Sequence, residues 1–209
     1  KLISEYHTPD GVDLEVGGTV EDQGDAFGDL GVLFILIVIL VYIVMATQFE
    51  SLKFPFIIMF TIPFAFTGVF LALWMTSTPL SLIALIGAIM LVGIVTKNGI
   101  VMVDYMNLLV ERGSGVFDAV IAGGKSRLRP VLMTSFTTIL GMLPLAIGTG
   151  VGSETWQPMG IAVIGGLTFS TLLTLFIIPA LYSVFVNRSQ RKEKEKLARL
   201  AAAHQASSH

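Results

Sequence analysis

Five apolar stretches, each about long enough to cross a bilayer, leave this chain few folds to choose from. They run over about 30–49, 54–74, 80–104, 131–150 and 158–186 of the 209 residues, and roughly 20 residues of helix cover ~30 Å of hydrocarbon. Inside lipid no water satisfies a backbone N–H or C=O, so segments of this kind span as helices. Composition agrees, because 54% of the residues are hydrophobic and only 13% charged, far from a soluble globular domain. The sequence predicts an all-α membrane protein, a bundle of five transmembrane helices with a short extramembrane segment at its N-terminus.

The polar remainder divides the chain into 1–28, 29–187 and 188–209. The first part holds turn signals at Thr8-Pro9-Asp10-Gly11 and an alternation of Val12, Leu14 and Val16 that predicts a short strand, the end of an extramembrane domain. The connections at 50–53, 105–130 and 187–209 carry Lys53, Arg112, Lys125, Arg127, Arg129 and a basic run from Arg188, whereas 75–79 and 151–157 carry no Lys or Arg. The positive-inside rule therefore puts the first set and the C-terminus in the cytoplasm and the acidic N-terminal segment outside. Trp74 and Trp156 then fall at the outer interface, where indoles prefer to lie. The tail from Arg188 reads as a solvated stretch that marks topology, in preference to an amphipathic helix on the inner leaflet. The chain opens on Lys1 rather than Met and shows no signal peptide, so a fragment or a processed chain is expected.

Several chemistries are excluded early. There is no cysteine, and His7, His204 and His209 lie near the termini, so neither a disulfide framework nor a Cys/His metal site can be assembled. The nine methionines are spread over the spans without such ligands and read as packing. Gly123-Gly124-Lys125-Ser126 resembles the end of a phosphate-binding loop, but the required first glycine is Ala119 and no strand precedes it. An intramembrane hydrolase would need paired carboxylates or a Ser/His arrangement inside the spans, and none is present. Nothing points to nucleic acid. The glycines at 87, 93, 99, 160, 165 and 166 are expected to let helices approach closely.

Lys97 is the residue that asks for a function. It lies in the third span, where an unpaired cation costs from about 3 to beyond 10 kcal/mol. Snorkelling to the near interface is disfavoured, since helical side chains lean toward the N-terminus and this helix runs from outside to inside. A buried acidic partner is therefore expected. Asp104 is seven residues away, ~10 Å along the axis, too far for a direct contact. The partner is expected on a helix absent from the chain.

Arg127 and Thr134 form a second constellation at the entry to the fourth span, with Arg129 and Pro130 between them. They too are seven apart and share one helix face. If Thr134 lies level with Lys97, Arg127 lies level with Asp104, and an Asp104 to Arg127 pair would close the cytoplasmic end. The plain alternative makes Arg127 and Arg129 positive-inside anchors only. Pro130 fits a first helical turn or a kink.

Five ordered motifs, Gln48-Phe49-Glu50-Ser51-Leu52, Leu91 to Tyr105 around Lys97-Asn98, Arg127 to Ser135, Gly141-Met142-Leu143-Pro144-Leu145 and Trp156-Gln157-Pro158-Met159, resemble the C-terminal membrane half of resistance-nodulation-division (RND) transporters, in the hydrophobe/amphiphile multidrug efflux branch. The likeness runs from about Leu14 to Val186. It implies a proton-driven antiporter of the bacterial inner membrane with twelve helices, of which these are helices eight to twelve. The N-terminal segment would be the end of a periplasmic domain. It further implies a homotrimer that recruits a periplasmic adaptor and an outer-membrane channel, with proton motive force rather than a cofactor as energy source. Members carry two aspartates on helix four, a lysine on helix ten and an arginine and a threonine on helix eleven; matched here, the last three are Lys97, Arg127 and Thr134. Asn98 and Asp104 would support them. The aspartate pair lies outside this chain. A relay lysine at this place favours export of hydrophobic or amphiphilic compounds over metal ions. The alternatives are a truncated, non-transporting membrane fragment and an RND pump for another substrate class, such as metal ions or lipids.

Overall fold

A computed structural model describes the backbone of residues 19–207 except 149 and 151, and the side chains of 23–186 except the same two. The strand expected at Val12 to Val16 lies outside the described residues. Six helices follow one another: α1 (Thr19–Phe49), α2 (Lys53–Met59), α3 (Thr61–Met75), α4 (Leu82–Glu111), α5 (Val116–Ile147) and α6 (Ser153–Ser207). They provide five stretches long and apolar enough to span a membrane, and no strand occurs among the described residues.

The helices outrun the apolar segments. α1 starts at Thr19, ahead of the expected boundary at 28, and the backbone of α6 stays helical to Ser207, through the segment read as a tail. The connection expected at 105–130 shrinks to residues 112–115 between α4 and α5. Hydropathy marks only where lipid ends, and a helix can continue beyond it, most readily where a face still packs. The first turns of α5 do so through Val116 and Ala119, both buried. Pro130 therefore sits well inside α5 rather than in a first turn, and with Pro144 it removes an N–H from the helical ladder.

The second apolar segment is broken into α2 and α3 at Phe60. Pro63 has no N–H to offer the Met59 carbonyl, and one residue earlier the Thr61 hydroxyl donates to the Ile58 carbonyl at 2.6 Å. The connections are tight. Ser81 Oγ caps α4 by accepting from the Ala84 N–H at 3.2 Å. Gly148 ends α5 at φ +71°, a left-handed conformation that glycine adopts at little cost. Ser153 then ties the next helix back by donating to the Gly148 carbonyl at 2.8 Å.

α6 is the hub, packed against α2, α3, α4 and α5. Its apolar stretch is half buried, whereas those of α1 and α5 are mostly exposed and line the outside. Two apolar clusters stack along it. One joins α3, α4 and α6 through Val69, Leu91, Val95 and Leu167. The other joins α1, α2, α4 and α6 through Met45, Ile58, Met102, Ile178 and Tyr182.

Close approach at glycine holds where expected, with one exception. A Cβ on Gly165 or Gly166 would run into Ala72 or Leu91, one on Gly87 into Met159 and one on Gly99 into Ile58. Gly93 touches nothing: a Cβ there would meet open space. Its side of α4 is not packed on any other described helix. Trp74 and Trp156 are both exposed, and helix order puts them at one end of the bundle, opposite Lys53, Arg112, Lys125, Arg127 and Arg129.

Candidate functional site on the open face of α4

The open side of α4 carries the charged residues. Ile86, Met90, Gly93, Lys97, Asp104 and Leu108 are all exposed and recur at the three- and four-residue steps of one helical stripe. On the opposite side, Leu91, Val95, Gly99, Met102 and Met106 are buried. Lys97 thus stands between the two core clusters in height but faces away from both. Neither Lys97 nor Asp104 forms a hydrogen bond or ion pair with another described residue.

Two contacts set the antiparallel register of α4 and α5. A Cβ on Gly123 would meet Met106 Cγ at 2.7 Å, and the Arg127 guanidinium lies over the Tyr105 ring, 4.5 Å from its centroid. Continued two turns up both helices, that register runs toward Thr134 on α5 and toward Lys97 and Asn98 on α4. Asn98 is half-buried and Thr134 exposed. The Thr134 hydroxyl donates to the Val131 carbonyl of its own helix at 3.0 Å, a bond that an incoming acceptor could replace.

The pairing expected between Asp104 and Arg127 is not made. Arg127 reaches instead to the next residue, Tyr105, because Asp104 points along the Lys97 stripe while Tyr105 shares the Asn98 stripe that faces α5. Arg127 is half-buried, and its Nε is sealed with no hydrogen-bond partner.

A layer of hydroxyls not among the expected site residues lies near the same height. Ser135 Oγ and Thr171 Oγ1 are 2.9 Å apart between α5 and α6, and Thr96, Ser170 and Thr174 are also buried. Deeper on the basic side, the Tyr182 hydroxyl donates to Asn107 Oδ1 at 2.7 Å. The isolated Ser and Thr letters gave no signal, since their meaning depends on which helix lies opposite. Tyr105 had one, its seven-residue spacing from Asn98. A cavity of about 90 Å³ between α5 and α6 borders Ser135 and Thr171, and one of about 140 Å³ lies between α1, α3 and α4; Lys97 lines neither. Among the described residues no group of three His, Cys, Asp or Glu could hold a metal ion.

The profile of the AcrB/AcrD/AcrF family matches residues 1–186. The swarming motility protein SwrC of Bacillus subtilis (strain 168) is 38% identical over 193 residues, 92% of this chain and 18% of that protein. The cobalt-zinc-cadmium resistance protein CzcA of Cupriavidus metallidurans is 38% identical over 93% of this chain and 18% of its own length. The multidrug resistance protein MdtC of Proteus mirabilis is 36% identical over 94% of this chain and 19% of its own. A crystal structure of a heavy metal efflux pump superposes with a TM-score of 0.75 at 31% identity, covering 85% of this chain and 18% of that one. The chain spans roughly a fifth of the length of the curated relatives it matches.

Proposed function

The chain belongs to the AcrB/AcrD/AcrF family of RND transporters, and from that premise we propose that it is the lysine side of the proton relay in an inner-membrane, proton-driven efflux transporter. The observation that carries this reading is Lys97, a cation on an unpacked membrane face with no partner among the described residues. A lipid-facing ammonium at mid-span is too costly to keep, so the stripe from Gly93 to Asp104 packs on a further helix of the whole protein that brings carboxylates to Lys97. The N-terminal segment is then periplasmic and the C-terminus cytoplasmic, consistent with the basic residues at one end and the exposed tryptophans at the other.

The mechanism is an electrostatic switch. With its carboxylate partners ionised, Lys97 bridges them; when protons load, the attraction falls and the helices re-pack. Unit charges 4 Å apart in an effective dielectric near 20 interact by about 4 kcal/mol, enough to move a two-state equilibrium about a thousandfold. Arg127 fixes the field at the cytoplasmic end, and Thr134 offers a hydroxyl to a carboxyl group or a water. The whole protein works as a homotrimer with a periplasmic adaptor and an outer-membrane channel.

The exported compounds are hydrophobic or amphiphilic, a reading supported by the lysine at position 97 and by likeness to a protein named for multidrug resistance. Metal-ion export is the second reading, favoured by likeness to CzcA and to the heavy metal efflux pump. The whole protein, expressed in a bacterium stripped of its own efflux pumps, tests both. Resistance to dyes and detergents is expected, with resistance to Co²⁺, Zn²⁺ and Cd²⁺ marking the second reading instead. Lys97→Ala should abolish whichever is seen, and Lys97→Arg should leave little, because a planar fork does not replace a point charge. Full resistance with Lys97→Ala at normal membrane levels would refute the relay.

A further inference from the structure

Arg127 is held by a ring rather than by an acid. Its guanidinium carbon lies 4.5 Å from the Tyr105 centroid, and this is its one polar interaction among the described residues. Nε is enclosed and unpartnered. Asp104, adjacent to Tyr105 in the chain, is exposed and pairs with no described residue.

The difference between ring and acid matters for a cation in a proton path. A carboxylate would take two of the five guanidinium N–H groups and cancel the charge. An aromatic face takes none, because the attraction acts between the cation and the ring quadrupole. Tyr105 can therefore fix where Arg127 stands while leaving it a full positive charge with its terminal N–H groups uncommitted. The backbone geometry supports such a hold. Gly123 lets α5 come against Met106 just beyond the contact, which keeps the ring within reach of a guanidinium from the facing helix. The same register sets this cation two turns below Lys97, toward the basic end of the bundle.

We propose that Tyr105 is a positioning residue for Arg127, its ring orienting an uncompensated guanidinium toward the cytoplasmic side of the relay. The proposal rests on the relay reading given above, and its ring face, not its hydroxyl, does the positioning.

The test uses the whole protein in proteoliposomes under an imposed pH gradient, with ethidium or Zn²⁺ as cargo, whichever the wild type transports. Tyr105→Leu should lower flux by roughly three- to thirty-fold, the range of a partly desolvated cation–π contact, and shift the pH profile of transport. Tyr105→Phe should restore both rate and profile. In an Arg127→Gln background, Tyr105→Leu should change nothing further. Wild-type flux in Tyr105→Leu, or the same loss with and without Arg127, overturns the proposal. A wild-type rate in Arg127→Gln instead removes Arg127 from the relay and takes the role of Tyr105 with it, so the two failures are told apart. If Tyr105→Leu does not accumulate, Tyr105→Met is read in its place against the same outcomes.

Discussion

At the scale of single residues, burial decides what a polar group is worth. Tyr182 is 1% exposed, stacks on Phe54 at 5.8 Å and 19°, and donates to Asn107 Oδ1 at 2.7 Å. That one side chain ties α6 to α4 and α2 at the basic end of the bundle. Tyr182→Phe keeps the stack but deprives Asn107 of its donor, and should cost about 1–2 kcal/mol. Tyr182→Leu loses the stack as well and should cost more. Unfolding of the whole protein in detergent measures both, and a Phe variant as stable as wild type would show that the bond contributes nothing. Lys97 presents the opposite case, since its cost is legible from the sequence alone: a charge amid Ile, Val and Gly is expensive in any fold that puts it in lipid. Tyr105 was legible only as a spacing, because a ring and a guanidinium attract wherever two helices happen to bring them together.

At the scale of helices, backbone approach sets the geometry. A Cβ on Gly160 would come within 2.7 Å of the Ala146 backbone nitrogen, and a main-chain atom cannot swing aside. Gly160→Ala should therefore destabilise by about 1–3 kcal/mol. Gly141, in the same pair of helices, meets nothing within 4 Å, and Gly141→Ala should be neutral or gain up to about 1 kcal/mol from helix propensity. Thermal unfolding of the two variants side by side checks this, and equal loss in both would remove close packing as the cause. The number and order of spans were readable, because each is a run of about 20 apolar residues. Their limits were not. The helical turns of α5 before Pro130 are too polar to register as a span, yet Ala119 is buried there and Gly123 packs on α4. Gly93 shows the converse: glycine signals that an approach is permitted, and only the assembled bundle tells whether a neighbour uses it.

At the scale of the molecule, the bundle has a closed side and an open one. More than half of the apolar stretch of α4 is buried, while its Gly93 to Asp104 stripe is bare. In the whole protein, cysteines at Gly93 and at Thr134 should cross-link to a transmembrane helix outside these 209 residues, whereas one at the buried Val95 should not. Cleavage between the two halves followed by gel mobility reads the result, and no link from Gly93 under conditions that join other helix pairs would leave the missing helix without support. The amino-acid sequence by itself determined that this chain is helical, has five spans and places a cation inside the third. Those properties follow from solvation, which depends on each residue and the lipid around it. The tertiary structure decided that α6 is the hub, that Arg127 faces Tyr105 rather than Asp104, and that Lys97 looks outward. Those are matters of which helix stands against which, and along what register, and no residue carries that information until its neighbours are in place.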